Sequence, residues 1–283
     1  MADQSYLSIY AKSFNWAGFF LPKQTYLKCS ALYDFCRIAD NIADGDEDIE
    51  IKKENFLNFQ NNFNDQKFDD PIIKNMWRLI KEFNIPLKVV HDLLDGINSD
   101  IQKNIKLNKK KDLLLYSYRV AGTVGLMMAK ILKVNKKSSL KSAIDLGIAM
   151  QLTNISRDVV EDLNFGRSYI NLNFEEIKST IELSENYYEN SFYSIKQIPF
   201  TFRFAILVAR RVYRKIGYKI LKKQNLENYK KSGKIYVSNI EKIIETLLSI
   251  FDLIKLSLIS KNDDNINHDH NLINEEINLN GRI

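Results

Sequence analysis

The sequence predicts an all-α protein, and three observations carry that prediction. Apolar residues recur at helical spacing over long runs, as in Ile148, Leu152, Ile155 and Val159. Hairpin signals are nearly absent, and 10 Gly and 4 Pro among 283 residues are too few for the turns of an all-β design. With 45% hydrophobic and 27% charged residues, the composition is that of an ordinary soluble globule. This length accommodates one large domain or two small ones.

Each element can be justified in order. Residues 5–26 are rich in aromatics, with Phe14, Trp16, Phe19 and Phe20 set for a helix packed on a core. From about Leu21 to Asp44 a helix carries Leu32, Phe35, Cys36, Ala39 and Ala43 as its apolar stripe, with Pro22 in its first turn. Beside that stripe run Tyr33, Arg37, Asp40 and Asp44. An acidic loop follows Gly45. Residues 51–112 hold helical patterns broken at Pro71 and Pro86. The acids Asp92, Asp95 and Asp100 read as a solvated helix face, and 105–112 as an exposed lysine-rich turn. Residues 113–134 form an almost wholly apolar helix containing Gly122 and Gly125, suited to tight packing or to a bend beside a long apolar ligand.

Residues 147–170 are the most informative stretch. Their apolar stripe shares a helix with a wholly polar one: Gln151, Asn154, Asp158 and Asp162. A helix that is apolar on most sides is buried, so its polar stripe needs a wet cavity, an ion or a partner. Asn164 and Gly166 end it, just before Arg167. Polar helix 174–195, basic helix 202–224 and apolar helix 235–260 follow, and the Asn-rich residues 261–283 read as a disordered polar tail.

Cys29 and Cys36 fit small core residues in a reducing compartment. No signal peptide precedes the first helix, and no run of 18 apolar residues is present, which points to the cytoplasm. The net charge of +6 comes with lysine clusters near 103–111, 136–141 and 222–234, solvated helix ends or sites of attraction for anionic lipid or phosphate. No nucleic-acid motif is present. His91, His268 and His270 have no zinc-like spacing.

One D-x-x-x-D pair in a helix is ordinarily a salt-bridge face. Two such pairs, Asp40/Asp44 and Asp158/Asp162, each near arginine and a glycine-marked loop, suggest carboxylates facing each other across a bundle. Oxygen ligands without His or Cys select Mg²⁺ or Mn²⁺ over zinc, and magnesium completes its shell with water and substrate phosphate. Arg37, Arg157 and Arg167 supply donor forks for phosphate oxygens. Phe14, Tyr33 and Tyr116 could face a carbocation with their rings.

These residues carry a family resemblance. CRIADNIAD (36–44), YSYRVAGTVGLM (116–127) and QLTNISRDVVEDLNFGRSYI (151–170) resemble the signature blocks of the squalene/phytoene synthase family, most of all its bacterial phytoene-forming members. KSF (12–14), ARRVYRKIG (209–217) and KIYVS (234–238) resemble its terminal blocks. The resemblance implies a single-domain isoprenoid synthase bundle around a central cavity, over residues 1–260. It implies head-to-head condensation of two geranylgeranyl diphosphates to phytoene through a cyclopropyl diphosphate, without NADPH. Asp40, Asp44, Asp158 and Asp162, with Asn154, would hold Mg²⁺ or Mn²⁺ together with the substrate diphosphate. Lys12, Ser13, Phe14, Arg37, Gln151, Arg157, Arg167, Arg214 and Lys234 would contact substrate, and Tyr33 and Tyr116 would flank the reacting centre. Ala11, Tyr10 and Gly233-Lys234-Ile235 depart from commoner family residues. Squalene or dehydrosqualene formation from farnesyl diphosphate is the alternative within the family; a non-catalytic scaffold on the same fold is the alternative outside it. A twenty-carbon substrate partitions into lipid at about 0.8 kcal/mol per CH₂, so peripheral membrane contact is expected. Oligomeric state is not legible.

Overall fold

A computed structural model describes residues 6–10, 12–102, 104–258 and 267–283; the tail residues 261–266, Lys103 and Ala11 lie outside the described residues. Fourteen α-helices are described: α1 (Tyr6–Tyr10), α2 (Lys12–Gly18), α3 (Lys23–Asp44), α4 (Ile49–Asn64), α5 (Pro71–Phe83), α6 (Leu87–Ser99), α7 (Lys110–Ser117), α8 (Thr123–Ile131), α9 (Lys137–Asn164), α10 (Phe174–Phe192), α11 (Phe200–Leu221), α12 (Leu226–Lys231), α13 (Asn239–Leu258) and α14 (His270–Asn274). The all-α expectation holds, and the helices form one bundle.

Local chemistry explains the boundaries. Asp70 accepts from the Ile72 amide (2.7 Å) at the start of α5, with Pro71 in its first turn. Asn84 ends α5 in the left-handed region, at φ 49°. Asn173 caps α10 by accepting from the Glu176 amide at 2.7 Å.

Helix α9 is the axis. It packs against α8, α10 and α11, and Leu152 and Ile148 are fully buried. The predicted apolar helix of 113–134 is interrupted by one π-helical turn, Tyr118–Gly122, between α7 and α8. Beyond it the glycines let two backbones touch. A Cβ on Gly125 would stand 2.2 Å from the Ala143 carbonyl oxygen, and one on Gly147 2.2 Å from that of Ala121. Close packing and an irregular turn therefore occur together.

Three expectations need correction. Residues 267–283 are folded, not disordered. His270 is buried against Asp145 of α9 at 2.6 Å, and Arg282 reaches Asp92 of α6 at 2.7 Å. Two interior carboxylates capture the segment, so its polar composition does not leave it solvated. For the same reason Asp92 is no solvated face: it is buried, and Tyr118 also donates to it at 2.9 Å. Finally, 105–112 is not a single turn, although half of it is exposed as expected: Ile105–Lys106 pairs in parallel with Arg167–Ser168, and α7 begins at Lys110.

Candidate active site

The C-terminal halves of α3 and α9 border a cavity of about 1210 Å³. It exceeds the roughly 300–1,000 Å³ that suits a drug-sized ligand. Its wall includes Lys12, Ser13, Phe14, Tyr33, Arg37, Asp40, Asp44, Gln151, Asn154, Arg157, Asp158, Asp162, Arg167 and Lys234. Sequence positions far apart thus converge, and Ser139, Ser142, Ala143 and Leu146 of α9 continue the wall. From Ser139 to Asp158 a helix advances roughly 28 Å at 1.5 Å per residue, so the cavity is long.

Both acid pairs occupy the last turns of their helices, where partial negative charge gathers and neither helix has a basic residue in its own last turn. Burial, then the Asp44 charge, raises Asp40 to about 7. Burial, then Asp158, raises Asp162 to about 7. The other members are held by cations. Arg157 forks onto Asp158 at 2.8 and 2.5 Å, Lys234 stands 3.5 Å from it, and Arg167 donates to Asp44 at 2.7 Å.

Arg167 joins the two walls. It is buried and also donates to the Asp100 carbonyl at 3.2 Å. The Asp100 carboxyl accepts from Tyr169 (2.6 Å) and Tyr116 (2.8 Å), whose rings stack at 4.5 Å. Burial raises Asp100 to about 6 against the hydrogen bond from Tyr169 and the charge of Arg167. Tyr116 is therefore committed to this support and is not part of the cavity wall, which corrects its expected place beside the reacting centre. Arg214 is corrected too: it faces away and pairs with Glu185 and Glu189, each at 2.6 Å.

Several residues escaped sequence reasoning. Asp100 and Tyr169 were hidden in a segment read as solvated and in the stop after α9. Tyr213 lines the cavity where Arg214 was expected to act; its ring lies 4.7 Å from that of Phe14. Lys242, in an apolar run, is buried against the cavity, and burial followed by the nearby Lys12 charge lowers its pKa. Two ammonium groups on one cavity wall favour an anion there.

The donor set fits a hard divalent cation. Among the described residues no three His, Cys, Asp or Glu side chains gather tightly enough to hold a metal alone. The acids instead form two walls with room between. Asn154 Oδ1 is buried there without a hydrogen-bond partner, an oxygen suited to coordination, while its amide reaches Gln151 Oε1 at 3.5 Å. Cations bridging the walls would need a phosphate to complete their shells.

Comparison with known proteins gives this geometry a family. The squalene/phytoene synthase family profile matches residues 8–173. A 15-cis-phytoene synthase of Pantoea ananas is 27% identical over 247 residues, covering 76% of this chain and 80% of that protein. A 15-cis-phytoene synthase of Enterobacter agglomerans is 36% identical over 151 residues, 46% of this chain and 51% of that protein. Among solved structures, a dehydrosqualene synthase in complex with ligand superposes with a TM-score of 0.70 at 28% identity, covering 89% of this chain and 95% of that one.

Proposed function

The chain belongs to the squalene/phytoene synthase family and is a prenyltransferase, and from that premise we propose that it joins two geranylgeranyl diphosphates into phytoene for carotenoid synthesis. The observation that carries this reading is the cavity itself: a charged region lined by two acid pairs, continuous with a long wall along α9. Sixteen main-chain carbons, at about 1.25 Å advance per 1.5 Å bond, span roughly 19 Å, the rise from Asn154 to about Ser142. The phytoene synthase relatives support the same choice.

The reaction has two steps. The donor's C–O bond breaks and diphosphate leaves; the acceptor's double bond attacks the allylic cation, and loss of a proton closes a cyclopropane. The remaining C–O bond then breaks, the ring rearranges, and a second proton is lost. No reductant is consumed, so no NADPH is needed.

Asp40, Asp44, Asn154, Asp158 and Asp162 would hold Mg²⁺, or Mn²⁺, with the diphosphate. Bound there, the metal supplies Lewis-acid stabilisation of the leaving group. Lys12, Ser13, Arg37, Arg167 and Lys234 donate to diphosphate oxygens, and Lys242 joins Lys12 in that role. Arg157 fixes the Asp158 carboxylate, and Gln151 fixes Asn154. Phe14, Tyr33 and Tyr213 present ring faces to the cation. Asp100, Tyr116 and Tyr169 position Arg167. Cargo and product are lipids, so the enzyme works in peripheral contact with membrane lipid at the cytoplasmic side; among the described residues no helix is long and apolar enough to cross a membrane.

A second reading is favoured by the dehydrosqualene synthase likeness: a C30 product from farnesyl diphosphate. Product analysis separates them. Purified protein is incubated with Mg²⁺ and either diphosphate, without NADPH. A C40 hydrocarbon from the C20 substrate is expected. A C30 product from farnesyl diphosphate alone would move the assignment to the second reading, and no product from either would favour the scaffold.

A further inference from the structure

Helix α13 is amphipathic in the reverse sense. Its acids point inward and are neutralised there: Glu241 by Lys219 at 2.7 Å, Asp252 by Arg211 at 2.6 Å, and Glu245 by Arg211 and Lys215 at 3.2 and 3.3 Å. Its outward face carries nine large apolar side chains, each more than a third exposed, led by Leu258 (79%), Ile240 (72%) and Phe251 (67%). Lys255 is the one exposed ionisable group on the helix. Such a stripe exceeds the scattered apolar exposure that a soluble monomer carries.

We propose that this face seats on the surface of a lipid bilayer, with α13 lying in the plane of the interface. Two observations choose lipid as the occupant. First, the face starts beside the cavity: Tyr236 and Ser238, just before α13, and Asn239 and Lys242 in its first turn belong to the cavity wall, and Ile240, next to Asn239, is the first residue of the outward face. Docking therefore brings this end of the cavity near the layer where a polyprenyl chain resides, a step that rests on the proposed substrate class. Second, the charge suits an anionic surface, because every carboxylate of the helix is turned inward onto a cation and the outward face carries no acid; Lys255, exposed, lays its ammonium over the Phe192 ring at 5.3 Å. The surface extends beyond α13. Trp16 of α2 donates to Thr246 at 3.0 Å, and Phe19, just past α2, is 71% exposed.

Flotation with vesicles, without substrate, tests the proposal independently of the reaction catalysed. The full chain is mixed with phosphatidylcholine vesicles and with phosphatidylcholine–phosphatidylglycerol vesicles. Wild type should float, more fully with the anionic lipid. The double variant Leu247→Glu/Phe251→Glu should lose roughly tenfold or more in partitioning, because each charge resists entry into the apolar layer. Its product formation from detergent-dispersed substrate should stay unchanged. Leu258→Glu, at the most exposed position, should weaken binding in the same direction if the double variant folds poorly. Wild type that stays unbound to both vesicles would overturn the proposal. So would a wild-type dimer that the double variant dissociates, since a second copy would then cover the face.

Discussion

Helices α9 and α13 both break the usual pattern of a surface helix, in opposite directions. Helix α9 is buried nearly all round yet keeps Gln151, Asn154, Asp158 and Asp162 along a cavity. Helix α13 turns its charges inward and its Ile, Leu and Phe side chains outward. A buried carboxylate without enough cations and an exposed apolar face without cover are both costly. In the function and docking proposed above, each is completed by something outside the chain: a metal with diphosphate for α9, lipid for α13. A second contrast lies within α9. Asp145, near its other end, is also buried, but Asn267 (3.1 Å) and His270 (2.6 Å) complete it from the protein itself. That carboxylate is structural; of the two near the C-terminus, Asp158 is forked by Arg157 at the cavity wall, and Asp162 lines the same cavity beside it.

The sharpest way to break the comparison is to remove the acids. Asp158→Ala or Asp40→Asn should lower turnover by about 10²–10³-fold, as expected when a group that organises transition-state charge is lost. The matched test is His270→Ala, which should cost about 1–3 kcal/mol in urea unfolding by leaving Asp145 underbonded, with turnover little changed. If His270→Ala abolished turnover in a folded protein, the division of α9 into structural and chemical ends would fail. Next in size, Ser142→Phe should shorten the cavity and shift preference from the C20 toward the C15 diphosphate by roughly tenfold, read by competition between the two substrates. An unchanged ratio would place the length determinant elsewhere.

The smallest effect concerns pH. Asp40 and Asp162 are raised from 3.8 to about 7, so the native state binds more protons than the unfolded state between those values. Metal-free stability should therefore fall as pH rises from about 4 to about 7, measured by urea unfolding in EDTA. Asp162→Asn should flatten that fall and raise stability at pH 8 by about 0.5–1 kcal/mol, worth roughly 1–2 °C in Tm. A metal-free protein that gained stability across this range would contradict the burial of both acids.

Much of this was legible in the sequence, because helical period fixes which side chains share a face. The spacing of Asp40/Asp44 and Asp158/Asp162 was enough to place each pair on one face, and both pairs do line the cavity. What escaped depended on rotation and on distant partners. Arg214 and Tyr213 differ by one position, about 100° around a helix, and only Tyr213 lines the cavity. Asp100 and Tyr169 are 69 positions apart and meet at 2.6 Å, a contact no local pattern encodes. The segment 267–283 has the composition of a solvated tail, yet it is folded by Asp92 and Asp145, which belong to α6 and α9. The apolar helix expected over 235–260 gave no sign of which way it faces, since apolar periodicity says where a stripe lies but not which way it turns.

In the proposed function, two acid walls become one binding site only when cations and diphosphate arrive together. The direct measurement is calorimetric titration of inorganic diphosphate into wild type, Asp40→Asn and Asp158→Ala, with Mg²⁺ and with EDTA. Wild type should bind diphosphate tightly with Mg²⁺ and at least about tenfold more weakly in EDTA, and either substitution should remove most of the difference. Equal affinity with and without Mg²⁺, or a Mg²⁺ effect that survives both substitutions, would contradict the account.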